Sequence, residues 1–133
     1  MELREVEELM MSVGYGAEFP AHFTNYEEDW LEGEFHLTEK GCNPLGICHG
    51  AISYGFADTL AAALSVASEA PCVTADSSLY YLREIRPGKV DGKAYFVKRG
   101  RKFNVIESEV YQGGKLCLKS TFTMAVIETP KVE

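Results

Sequence analysis

Residues 50–68 read GAISYGFADTLAAALSVAS. The run is rich in alanine and apolar almost all round a helix, and a helix of that kind is buried. Asp58 is its one charged residue. The rest of the chain must wrap this helix, and the wrapping must give a lone carboxylate a place. Glu69-Ala70-Pro71 ends the helix, since proline cannot continue it.

Beyond the helix the chain reads as strands. CVTADSSLYYLR leads to a turn at Arg86-Pro87-Gly88, KAYFVKR to a turn at Gly100, and KFNVIESEVY to Gln112-Gly113-Gly114. KLCLKSTFTMAVI then alternates, with Leu116, Leu118, Ser120, Phe122, Met124 and Val126 on one face. Before the helix, WLEGEFHL reads as a fifth strand and TEKGCNPLG as a loop. The turn spacing fits an antiparallel meander. GYGAEFPAHFTNYEED reads as irregular, and a short amphipathic helix over about residues 1–14 carries Leu3, Val6, Leu9, Met10 and Val13 on one face. Helices do not alternate with strands, so the expected class is α+β, a five-stranded antiparallel sheet around one helix. Such a sheet leaves an edge and an apolar face that a homo-oligomer would cover.

At 133 residues the chain is one domain, 1–133, with enough length for a core. The start is acidic and lacks the basic and apolar regions of a secretory signal. No apolar run reaches ~18 uncharged residues, which argues against a membrane span and for a cytoplasmic protein. Cys42, Cys48, Cys72 and Cys117 are scattered, so reduced thiols are expected, and their spacing matches no common metal site. The net charge of -7 argues against general nucleic-acid binding. That charge is unevenly spread. Residues 1–69 hold thirteen Asp/Glu against two Lys/Arg (net -11), and residues 70–133 hold seven against eleven (net +4). An anionic ligand would meet the second half, where Lys98, Arg99, Arg101 and Lys102 cluster. A solvated hairpin tip would carry the same charges.

An ionised carboxylate buried without a partner costs several kcal/mol. Asp58 therefore either faces a wet edge and bonds to Ser, Thr or backbone groups, or points into a cleft and does chemistry. The start of the same helix sharpens the choice. Cys48-His49-Gly50 opens it, where backbone N–H groups are unpaired and the dipole is positive. Gly50 allows close approach, so this terminus could hold a carbonyl oxygen as it becomes an oxyanion. Asn43 offers a side-chain N–H and His49 a group to orient it. Read alone, each is also an ordinary turn or capping residue. Gly50 and Asp58 lie eight residues apart, ~12 Å along one helix. A reacting carbonyl must sit within ~3 Å of both donor and attacking group. One helix cannot serve one carbonyl with both, so the two groups would come from different subunits.

NPLGICHGAISYGFADT, from Asn43 to Thr59, resembles the hotdog-fold acyl-CoA thioesterases, in the branch of the phenylacetate-pathway (PaaI-like) enzymes and human thioesterase superfamily member 2. That branch shows Asn, His six residues on, Gly directly after, and Asp nine residues past the His. Here those are Asn43, His49, Gly50 and Asp58. Looser similarity through VTADSSLYYLREIRPG, VKRGRKFNVIESEVY and KLCLKSTFTM extends it over about residues 30–127. The resemblance implies a hotdog fold, dimerised and often paired again. It implies that Asn43 and the Gly50 N–H polarise a thioester carbonyl, with His49 orienting Asn43. Asp58 of the neighbouring subunit would be nucleophile or general base. Thr74, with Ser77 and then Thr59 behind it, would help place water. Arg83, Arg86 and the basic turn Lys98–Lys102 would meet the phosphates of coenzyme A, which belongs to the substrate; no separate cofactor or metal is implied. The family's usual His-Gly-Gly is His49-Gly50-Ala51 here. Tyr54 and Phe56 are bulky for this helix and would shape the acyl pocket, with Tyr80 a further aromatic; residues 1–14 would cap it.

The expected activity is hydrolysis of an acyl-CoA thioester. Rival readings are a hotdog hydratase or dehydratase, a non-catalytic acyl-CoA binder or sensor, and a purely structural oligomerisation module.

Overall fold

The computed structural model describes residues 1–128; the last five positions of the expected domain lie outside the described residues. Two short helices, α1 (Leu3–Met10) and α2 (Gly14–Glu18), precede strands β1 (Ala21–Glu27) and β2 (Trp30–Leu37). The long helix α3 (Gly50–Ala67) comes next, and then β3 (Cys72–Tyr81), β4 (Gly88–Lys98), β5 (Phe103–Gln112) and β6 (Lys115–Val126). All strand pairs are antiparallel, in the order β1-β2-β4-β5-β6-β3. The sheet curls around α3, which is the hotdog architecture.

The sheet has six strands and not five. The extra one, β1, lies in the stretch read as irregular. Ala21 and Phe23 point inward, but the register with β2 shifts between Phe23 and Asn25. That bulge breaks the period-two pattern by which a strand is recognised. The meander holds for β4, β5 and β6 only. β3 pairs with β6 at the far edge, and β2 takes its place beside β4. Residues 82–87 do not close a hairpin. They cross the sheet end, where Leu82 N–H donates to Cys117 O at 2.8 Å and Arg86 N–H to Gln112 Oε1 at 2.9 Å.

α3 is as long and apolar as a membrane-crossing helix, but half of it is buried within the fold. Leu60, Ala61, Leu64 and Ala57 are inaccessible, packed on the inner faces of the strands. The helix comes close because Gly33 of β2 and Gly92 of β4 face each other in register. A Cβ at Gly92 would stand 2.4 Å from Leu60 Cδ1 and 2.8 Å from Phe56, and one at Gly33 would stand 2.9 Å from Leu60 Cδ2. α1 buries only Val6 completely. It ends at Met10, so Val13 leaves the predicted stripe and, like Leu9, stands exposed.

Candidate active site

Asn43 lies in a tight loop between a 3-10 turn (Glu39–Gly41) and α3. Its side-chain Oδ1 accepts from Leu45 N–H at 3.0 Å and Ile47 N–H at 3.4 Å. This is an Asx turn, the local bond that makes Asn common in turns. It leaves the Nδ2 donor without a partner among the described residues. His49 is the N-cap of α3, and its Nδ1 accepts from Ala51 N–H at 3.0 Å. In the neutral ring the proton is therefore on Nε2. The loop amides, and not His49, hold Asn43. The Gly50 N–H is the first in the helix and has no acceptor among the described residues, as a helix start dictates. The Gly50 carbonyl accepts from Tyr81 OH at 2.9 Å, which places a phenol beside this terminus.

Asp58 lies two turns along α3, half-buried, and its Oδ1 accepts from the Thr74 hydroxyl of β3. No cation pairs with it among the described residues. Burial pushes its carboxyl above the usual carboxylate range, and the Thr74 bond pulls part of the way back. It opens into a cleft of about 470 Å³ whose walls include Met10, Val13, Tyr15, Tyr54 and Gly55. The hydroxyl end of the Tyr15 ring rests on the helix, in the space a Cβ at Gly55 would take. Its hydroxyl donates to Ile52 O at 2.8 Å. Burial raises the Tyr15 phenol, with smaller contributions from Cys48 and Asp58, so it stays neutral. Residues 10–16 thus form one wall of the cleft. Sequence reasoning missed Tyr15; a glycine inside a helix of good helix formers is the signal that something large rests on it.

A family model described as "Thioesterase superfamily" matches residues 45–118. The chain belongs to the thioesterase superfamily. It is 31% identical over 106 residues to a protein of Haemophilus influenzae named "Putative esterase", covering 77% of each. It is 26% identical over 109 residues to the 1,4-dihydroxy-2-naphthoyl-CoA hydrolase of Escherichia coli, covering 79% of this chain and 80% of that one. Among solved structures, a thioesterase of Haemophilus influenzae superposes with a TM-score of 0.86 at 25% identity, over 96% of this chain and 91% of the other. A phenylacetic acid degradation-related protein of Ralstonia eutropha has the same fold (TM-score 0.82, 24% identity, 91% and 98% covered). A Streptococcus mutans protein solved bound to acetyl CoA gives 0.78 at 25% identity, over 84% and 91%.

Within this thioesterase-superfamily chain, the other expected residues separate. Ser77 shares a hydrogen bond with the Tyr54 hydroxyl at 2.7 Å, and of the two only Tyr54 lines the Asp58 cleft. Thr59 donates to Gly55 O at 2.7 Å, and its hydroxyl is used within the helix. Phe56 faces the other way. It is 2% exposed and packs on Phe35 at 4.6 Å, so it shapes the core and not the cleft. Arg83 lines a second cleft beside Gly50, with Tyr81 and Cys48, and donates to Leu116 O at 3.0 Å. Arg86 pairs with Glu84. The basic turn lies at the other end of the helix, where Asn104 reaches Ser65. Arg99 is committed to its own chain. It stacks on Phe96 at 4.1 Å and pairs with Asp29 of the β1–β2 turn at 3.2 Å. Lys98, Arg101 and Lys102 are exposed.

Proposed function

We propose that the chain hydrolyses an acyl-CoA thioester to the free acid and coenzyme A, at a site shared by two subunits in the cytoplasm. The observation that carries this is Asp58: a half-buried carboxylate with no cation among the described residues, held by Thr74 in an aromatic-walled cleft. Such a group is costly to keep, and burial, by raising its pKa, makes it a stronger base than an exposed carboxylate. The Gly50 N–H and Asn43 Nδ2 are the matching donors for a developing oxyanion. The Gly50 N–H lies ~12 Å from Asp58 along the same helix, which calls for a second chain.

Two surfaces support that second chain. β3 is a sheet edge with Val73, Tyr80 and Tyr81 more than half exposed, the kind of edge proteins cover. The α3 face carrying Ala51, Tyr54, Gly55 and Asp58 is flanked by β3 and Tyr15 and only part-covered, with Ala51 exposed. With two α3 helices side by side and antiparallel, Asp58 of one chain meets Gly50 and Asn43 of the other. Arg83 then comes with the donors. Arg101 and Lys102 come with the carboxylate, ~10 Å farther along the axis. Both can reach coenzyme A phosphates.

In the reaction, the thioester carbonyl sits on the Gly50 and Asn43 donors. Asp58 either takes a proton from the water that attacks it or attacks it directly, giving a mixed anhydride that water then opens. Thr74 holds the carboxylate in line. His49 spends its Nδ1 on the Ala51 N–H as the cap of its helix, which argues against its serving as half of a hydratase acid–base pair. The test is thiol release from short, medium, long and aryl acyl-CoAs by wild type and Asp58→Asn. Hydrolysis lost in the variant supports the reading. Tight acyl-CoA binding with no release by wild type would move the protein to the binders. Oxygen-18 appearing in Asp58 during a single turnover would select the anhydride route.

A further inference from the structure

Cys42 and Cys48 stand on the two arms of the loop that carries Asn43, and neither thiol has a part in the chemistry above. Asn43 N–H donates to Ile47 O at 2.8 Å, and His49 N–H donates to Gly41 O at 2.9 Å. These two bonds bracket the cysteines, which face each other as an isolated antiparallel bridge. The cysteines exchange no backbone bond themselves. They form the narrow, non-hydrogen-bonded kind of pair, in which opposed Cα atoms lie about 4.5 Å apart and both side chains leave on the same face. A disulfide spans Cα separations of about 4.4–6.8 Å. Both cysteines are free thiols and only half-buried, and the loop tip between them, Pro44 to Gly46, is exposed.

We propose that Cys42 and Cys48 are a redox-modification site, at which exchange with a small disulfide such as oxidised glutathione closes a disulfide across the Asn43 loop. The Cys42 thiolate attacks one glutathione sulfur, the S–S bond breaks, and one glutathione leaves as its thiol. Cys48 then loses its proton and attacks the Cys42 sulfur of the mixed disulfide, which releases the second glutathione. Two protein thiols are oxidised, one glutathione disulfide is reduced to two thiols, and the two protons pass to the products. Cys42 attacks first because burial pushes the Cys48 thiol up to about 11, which leaves little thiolate there.

Closing the bond draws the two Cβ atoms to about 3.8 Å. Cys42 is followed directly by Asn43, and Gly50 lies two residues beyond Cys48. The oxyanion donors are therefore the groups the new bond displaces. This consequence, unlike the bond itself, rests on the thioesterase reading. Losing one such donor costs about 10²–10³ in kcat, and we expect displacement to lower kcat about tenfold or more.

The experiment equilibrates the reduced full chain with oxidised glutathione, traps the remaining thiols and measures intact mass, fragment masses and thioester hydrolysis. Two of the four thiols should disappear, the mass should fall by two hydrogens with no retained glutathione, and fragments should join Cys42 to Cys48. The kcat should fall and return on reduction, whereas Cys42→Ser should be indifferent to the oxidant. Four persisting thiols, a glutathione retained on Cys42, or a bond to Cys72 or Cys117 would overturn the site. A closed bond with unchanged kcat would overturn its effect on catalysis. If reduced wild type hydrolyses no thioester, the functional reading fails while the thiol count still decides the disulfide.

Discussion

At the start of α3, every side-chain hydrogen bond of Asn43 and His49 ends within four residues in sequence. Around Asp58, two turns on, the helpers come from far away. Thr74 is 16 residues distant on β3, and Tyr15 reaches across 37 residues to bond Ile52. The side chains of the donor end are set by one loop and one helix start, with Tyr81 and Ile85 bonded from afar only to backbone there. The carboxylate end is a tertiary device, and it exists only when β3 and the N-terminal segment are packed. The donor end carries no net charge and leaves the Gly50 N–H and Asn43 Nδ2 without partners among the described residues. The carboxylate end keeps an uncompensated charge in a half-buried place. Local order makes the donors robust, and long-range packing makes the carboxylate tunable.

The largest effects should come from removing either end. Asp58→Asn should lower kcat about 10²–10⁴-fold, the usual contribution of a positioned base. Asn43→Ala should lower it about 10²–10³-fold. Asn43→Asp should be as inactive while keeping the Asx turn, which separates donor from scaffold. Unfolding and refolding the Asp58→Asn and Asn43→Ala chains together should restore turnover, because a mixed pair holds one site with both groups intact. Mixed chains as inactive as either parent would break the two-subunit site.

Thr74→Ala should come next, at about 10- to 100-fold, the weight of a hydrogen bond to a charged group. Its signature is in the pH profile. Burial raises the Asp58 carboxyl and Thr74 opposes that rise. Without the hydroxyl the carboxyl rises further, so the acid limb of kcat/KM should move to higher pH. A profile that stays in place, measured beside Thr74→Ser, would show that Thr74 does not act through Asp58.

Tyr15→Ala should change preference more than rate. Opening the wall at Gly55 should raise kcat/KM for longer acyl chains relative to short ones, and Tyr15→Phe should keep the wild-type order. Equal losses across the panel would make Tyr15 a folding residue only.

The smallest effect concerns stability. With its pKa raised on folding, Asp58 binds its proton more tightly in the folded chain. Stability therefore falls as pH rises from the unfolded carboxylate value through the folded one. Asp58→Asn removes that loss, so its Tm should exceed wild type at neutral pH, and the gain should vanish in acid. A lower Tm at pH 7 would show that the charge is compensated.

The same contrast explains what could be read from sequence. The placement of Asn43 in the loop, His49 and Gly50 at the helix start and Asp58 two turns on was legible because their spacing along one loop and one helix is itself the signal. The separation of Gly50 from Asp58 needed only the rise of a helix. Thr74 came from family resemblance, since nothing local ties it to Asp58. Tyr15 was missed because its place depends on packing against Gly55. Phe56 was misread because its side of the helix depends on where the sheet lies. Arg99 shows that charge density tells where cations are in the chain but not what they touch. β1 was hidden by its bulge, and the position of β3 by a crossing segment that looks like a hairpin turn.

The facing glycines of β2 and β4 work as a depth stop for the helix. Leu60 and Phe56, two residues either side of Asp58, rest in the slot they leave. Both side chains are shut in, at 0% and 2% exposure, and have little room to swing aside. A single methyl added at Gly92 would lift the seat on which the carboxylate rides, on the opposite side of the helix from any ligand. Neutral-looking drift on the back of the sheet would then surface as a displaced Asp58 before it surfaced as lost folding.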